Sequence, residues 1–114
     1  MLLPSKELLS EVLRVNVKFI EFDIETIKRR IHGSVRDNDI YYHDGKLKFI
    51  NIYELAHKCK EWAYSKGYDI YSDYNGADVC NICSNYSIAP FHHNVTEKEA
   101  IFKACEWIME KTKC

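Results

Sequence analysis

Between Gly67 and Glu97 the chain has no Lys or Arg, although sixteen stand in its 114 residues. Glycine and proline are also scarce, at four and two. That excludes low-complexity and collagen-like chains and leaves little material for a glycine-rich phosphate loop. No G-x-S-x-G, H-E-x-x-H or EF-hand pattern is present. The apolar runs are only a few residues long, too short to span a bilayer. The start, Met1-Leu2-Leu3-Pro4-Ser5-Lys6-Glu7, lacks the basic region and apolar core of a secretory leader. Sixteen Lys and Arg against seventeen Asp and Glu give a net charge of −1, so no global basic field exists to hold nucleic acid or an anionic membrane.

What is present describes one α+β domain over residues 1–114: 46% hydrophobic, 29% charged and 13% aromatic. The five cysteines are Cys59, Cys80, Cys83, Cys105 and Cys114. An odd number without a leader suits a reduced, cytoplasmic setting with mostly buried thiols.

Ser5 can cap a first helix in which Leu8, Leu9, Val12 and Leu13 share a face. Residues 16–23 alternate like a strand, an alternation that Ile24 continues, while Ile24, Ile27 and Ile31 also fit a helical period, so 24–32 reads as a short helix or as further strand, the helix being preferred. Asp44-Gly45 reads as a type I′ turn, pairing Tyr42 with Leu47 and Ile40 with Phe49 on one face. Asn51 and Glu54 stand at capping-box spacing before the stripe Leu55, Ala56, Cys59, Trp62 and Ala63, which Lys66-Gly67 ends. Asn75-Gly76 marks a second hairpin, pairing Tyr74 with Ala77, Asp73 with Asp78 and Tyr71 with Cys80. A third strand over 86–91 is broken by Pro90, which places it at an edge or ends it. Thr96 and Glu99 form another capping box, ahead of a stripe of Ile101, Ala104, Cys105 and Ile108. The fold class is therefore α+β, an antiparallel sheet built from hairpins and packed with helices. Its second half runs α-β-β-β-α.

Two stretches carry a resemblance: Ile50-Asn51-Ile52-Tyr53-Glu54-Leu55-Ala56-His57-Lys58-Cys59-Lys60-Glu61-Trp62-Ala63 and Thr96-Glu97-Lys98-Glu99-Ala100-Ile101-Phe102-Lys103-Ala104-Cys105-Glu106-Trp107-Ile108. Each resembles segments of small, uncharacterised prophage proteins of Campylobacter-like bacteria, and the spacing is similar to phage α/β/α sandwich domains. The resemblance implies a phage-type accessory protein that works in the host cytoplasm by binding host factors, including components of antiviral defence. It brings no catalytic residues, because the matching positions are helix stripes and caps.

Cys80-Asn81-Ile82-Cys83 followed by His92-His93 has zinc-site composition. In a regular strand, however, positions three apart point to opposite faces, so no metal is expected. Lys28, Arg29, Arg30 and Arg36 form the one basic cluster. It is either a solvated helix end or a phosphate clamp. The α-β-β-β-α order also suits a double-stranded RNA-binding module. Such a module needs a basic hairpin loop, and here that loop is Asp73-Tyr74-Asn75-Gly76.

The cation-free interval instead offers Tyr, Asn and His, the chemistry of adaptable recognition surfaces. It predicts a partner-binding surface of Tyr71, Asp73, Tyr74, Asn75, Asp78, His92 and His93. The expected function is inhibition of a host defence protein by binding, without turnover, catalytic residues or cofactor. Two alternatives stand beside it. One is a sponge for a small nucleotide signal, with Lys28, Arg29, Arg30 or Arg36 on phosphate, a Tyr on the base and the chain in an oligomer. The other is a cytoplasmic enzyme of unknown class.

Overall fold

Short polar side chains set the helix starts. Ser5 Oγ accepts the Leu8 N–H at 3.1 Å and Asp23 accepts the Glu25 N–H at 3.1 Å. Asn51 Oδ1 accepts from Tyr53 and Glu54 at 2.9 and 3.3 Å. Thr96 and Glu99 cap each other reciprocally: Thr96 N–H donates to the Glu99 carboxylate and Glu99 N–H to the Thr96 hydroxyl. Each oxygen replaces a partner that the first helical turn cannot supply.

The computed structural model describes residues 3–31 and 33–112. Its order is α1 (Lys6–Leu13), β1 (Phe19–Glu21), α2 (Ile24–Arg30), β2 (Asp39–His43), β3 (Leu47–Asn51) and α3 (Ile52–Ser65). There follow β4 (Tyr68–Asp73), β5 (Gly76–Asn81), β6 (Ser87–Phe91) and α4 (Glu97–Thr112). The strands form two antiparallel three-stranded sheets, β1-β2-β3 and β4-β5-β6. This is the α+β class that the residue pattern predicts, with two sheets in place of one.

Helices α3 and α4 pack on one face of β4-β5-β6, and α1 packs against both helices. The expected stripes are the buried ones: Leu55, Ala56, Cys59, Trp62 and Ala63 on α3, and Ile101, Ala104, Cys105 and Ile108 on α4. Ile70, Ala77, Val79 and Ala89 meet them from the sheet. Phe102, Leu8, Leu9, Ile52, Leu55 and Ile108 are almost wholly enclosed, each worth about 1.5–3 kcal/mol of burial. Buried Cys105 donates its thiol hydrogen to the Cys59 carbonyl at 3.4 Å.

The first hairpin departs from expectation. Its loop holds three residues, Asp44-Gly45-Lys46, so His43 pairs with Leu47, Tyr42 with Lys48, Tyr41 with Phe49 and Ile40 with Ile50. A one-residue slip exchanges faces. Phe49 therefore leaves the side of Ile40 and joins Tyr41, while Ile40, Tyr42 and Ile50 join the core. Asp44 tightens the longer loop, since its N–H donates to Lys46 O at 3.1 Å and its carboxylate takes Lys48 Nζ at 2.8 Å. Gly45 supplies the positive φ, +108°, that a three-residue hairpin loop uses.

Three smaller differences follow from local competition. β1 is shorter than the alternating stretch over 16–23, and Phe22 and Ile24 are exposed. α2 ends at Arg30 because Ile31 is extended, and the predicted last position, His32, lies outside the described residues, as does Cys114. Cys80 and Cys83 do not share a strand: β5 stops at Asn81 and the chain turns, with Cys83 at φ +67°.

Candidate docking face

With both helices on its inner side, β4-β5-β6 presents Asp69, Tyr71, Asp73, Asp78, Cys80 and Ser87 on the other. The hairpin that carries most of them bends one position earlier than Asn75-Gly76 suggests. Asp73 pairs with Gly76, Ser72 with Ala77, Tyr71 with Asp78 and Asp69 with Cys80, leaving Tyr74-Asn75 as the loop. Asp73 therefore does not face Asp78, which corrects the expected acidic cross-strand pair.

The reason lies in the turn chemistry. Asp73 Oδ1 accepts the Asn75 N–H at 2.8 Å, and neither Tyr74 nor Asn75 adopts the positive φ of a type I′ turn. Asp at the first position and Gly at the fourth match a type I turn. Gly76 then enters the strand at φ +134°, in a space where a Cβ would lie 2.9 Å from His92 Cα. Because partners shift by two, the alternation of faces survives. Tyr71 and Tyr74 stay outside.

Tyr71, Tyr74 and Tyr86 are 50%, 84% and 82% exposed. Asp78, the cross-strand partner of Tyr71, is held from two sides. Ser87 Oγ donates to its Oδ1 at 2.8 Å, and His92 Nε2 lies 2.9 Å from its Oδ2. The other ring nitrogen, Nδ1, lies 3.1 Å from the Asn75 carbonyl. The imidazole thus bridges the hairpin loop and the carboxylate, and the Asn75 carbonyl first, then Asp78, raises its pKa above 6.5. Asp69, next to Tyr71, raises the phenol's pKa. Burial, then Asp78 and Asp69, raises that of the Cys80 thiol. A cleft of about 280 Å³ opens between Tyr71, Asp78, Cys80, Asn85 and Ser87.

Six of the seven predicted partner-binding residues gather around this hairpin: Tyr71, Asp73, Tyr74, Asn75, Asp78 and His92. His93 stands apart, on the exposed loop after β6, where its Nε2 meets Asn94 Nδ2 at 3.1 Å. Ser87, which positions the Asp78 carboxylate, was not foreseen. Its placement depends on a bulge at Val79–Cys80 that no residue pattern announces.

The four basic residues lie on α2 and on the loop that follows it. Lys28, Arg29 and Arg30 are exposed along the end of α2, with Lys28 4.0 Å from Glu25. Arg36 lines a cleft with Ile31, Tyr41 and Phe49. Among the described residues, no group of three or more His, Cys, Asp or Glu side chains is placed to hold a metal, and no helix is long and apolar enough to cross a membrane. No family model, curated protein or solved structure matches the chain.

Proposed function

We propose that this is a phage-type accessory protein that binds a host protein, in the first instance a component of antiviral defence, and inhibits it without turnover. The outer face of β4-β5-β6 is the docking surface in this reading. One observation carries it: half-exposed Tyr71 and exposed Tyr74 share a cation-free hairpin with Asp73 and Asp78. Tyrosine supplies contact area at low entropic cost, and a carboxylate beside it suits an Arg or Lys on the partner. The phage assignment rests on the α3 and α4 stretches that resemble prophage proteins.

The order of the polar groups does not suit a serine nucleophile on this face. Ser87 donates to the Asp78 carboxylate, while the His92 ring is engaged by Asp78 and Asn75. A nucleophilic serine needs its hydroxyl on the imidazole, with the carboxylate behind. Here the order is inverted.

The test is affinity capture from a bacterial host lysate, with Tyr74→Ala and Asp73→Lys run beside the wild type. Each should release the captured protein; Tyr74→Ala, at an exposed position of the turn, should leave the melting temperature in place, whereas Asp73→Lys also removes the acceptor of the Asn75 N–H and should lower it slightly. Equal capture by both variants would remove this surface from the account.

A further inference from the structure

We propose a second site, independent of the docking face, that binds a guanine nucleotide in the cleft between the 33–38 loop and the β2–β3 hairpin. The cleft holds about 470 Å³, within the range of roughly 300–1,000 Å³ typical of small-ligand sites. Its wall is the cross-strand pair Tyr41 and Phe49, with ring centroids 5.9 Å apart and planes inclined by 41°. Tyr41 is 5% exposed, and its hydroxyl accepts the Arg36 backbone N–H at 3.2 Å, which holds the ring and the loop together. Phe49 is 60% exposed and presents an open ring. Such a ring takes a nucleobase by stacking.

Two charged side chains complete the site. Arg36 and Asp39 both line the cleft and come from the two ends of one short turn, closed by the Asp39 N–H donating to Arg36 O at 3.2 Å. Neither takes part in an ion pair among the described residues. Arg36 offers the planar fork that matches two phosphate oxygens. Asp39 lies two residues before Tyr41 on the same face of β2. Its carboxylate only accepts hydrogen bonds when ionised. Guanine presents two adjacent donors on its Watson–Crick edge, whereas adenine presents a donor beside an acceptor. A carboxylate next to a stacking ring therefore selects guanine. The slip that puts Phe49 beside Tyr41 creates the site, since in the expected register Phe49 would share the face of Ile40.

Isothermal titration of the full chain at low ionic strength with GMP, AMP and guanosine tests the proposal. GMP should bind at least about tenfold more tightly than AMP, the ratio that a difference of ~1.4 kcal/mol produces. Arg36→Ala should weaken GMP about tenfold or more and leave guanosine unchanged, as loss of a phosphate contact requires. Asp39→Asn should erase the preference for GMP over AMP, and Phe49→Ala should weaken all three. Absence of GMP binding at millimolar concentration, equal wild-type affinity for GMP and AMP, or equal loss of GMP and guanosine in Arg36→Ala would each overturn it. The docking surface is untouched by any of these results, because none of the three variants alters it.

Discussion

His92 has an acceptor on each side of its ring, the Asn75 carbonyl at Nδ1 and the Asp78 carboxylate at Nε2. A neutral imidazole donates from one nitrogen only, so both contacts are hydrogen bonds only in the imidazolium. Its folded pKa is accordingly raised above 6.5, by the Asn75 carbonyl first and Asp78 next. The sign follows from linkage: the stabilisation is complete below the unfolded value and disappears as pH rises through the folded one. NMR titration of the His92 ring should give a midpoint above 6.5, and His92→Gln should flatten the pH dependence of stability in that window. A midpoint at or below the ordinary value would contradict the bridge. Gly76, directly beneath the ring, makes a second residue-level prediction. An added Cβ would lie 2.8 Å from His92 Nδ1 and 2.9 Å from its Cα, at φ +134°. Gly76→Ala should cost at least about 1–3 kcal/mol in denaturant unfolding, and a change below ~0.5 kcal/mol would show that the turn relaxes freely.

Among the elements, caps and cores should separate cleanly in magnitude. Thr96→Ala removes half of the reciprocal cap on α4 and should cost about 0.5–2 kcal/mol. Phe102→Ala empties a wholly buried position on the same helix and should cost about 3–5 kcal/mol. Urea unfolding of the two variants checks the order, and equal losses would mean that α4 is not docked as described. α3 was legible in the residue pattern because a cap, a five-residue stripe and a stop signal each point to the same span, and α1 and α4 because a cap and a four-residue stripe do. The hairpins were legible as hairpins and not in register. Asp44-Gly45 and Asn75-Gly76 name a turn, but a glycine can stand inside a two-residue loop, inside a three-residue loop or just after one. Tertiary burial of Ile40 with Ile50 chose the three-residue loop in the first case. The Asp73 side chain chose a type I turn in the second. The exposed tyrosines were predictable because a shift of two preserves the face, and the Tyr41–Phe49 cleft was not, because a shift of one reverses it.

The whole molecule measures 47 × 30 × 17 Å, and its two sheets differ in how they are supported. β5 is the central strand of its sheet and lies under α4, whereas β1 is a three-residue edge strand. Hydrogen exchange should therefore be slowest in β5 and the facing turns of α4 and fastest in β1, since protection follows burial and pairing. Equal protection in β1 and β5 would argue for a single rigid unit. At this scale the open side of β4-β5-β6 is the claim on which the functional reading depends. Hydroxyl-radical footprinting of the captured complex tests it most directly, because the chain carries its own reference tyrosines. Tyr53 and Tyr64 on α3 are exposed, as are Tyr71, Tyr74 and Tyr86. Docking through the sheet predicts that Tyr71 and Tyr74 become protected while Tyr53 and Tyr64 label as in the free protein. Protection of Tyr53 and Tyr64, with Tyr71 and Tyr74 unchanged, would contradict it.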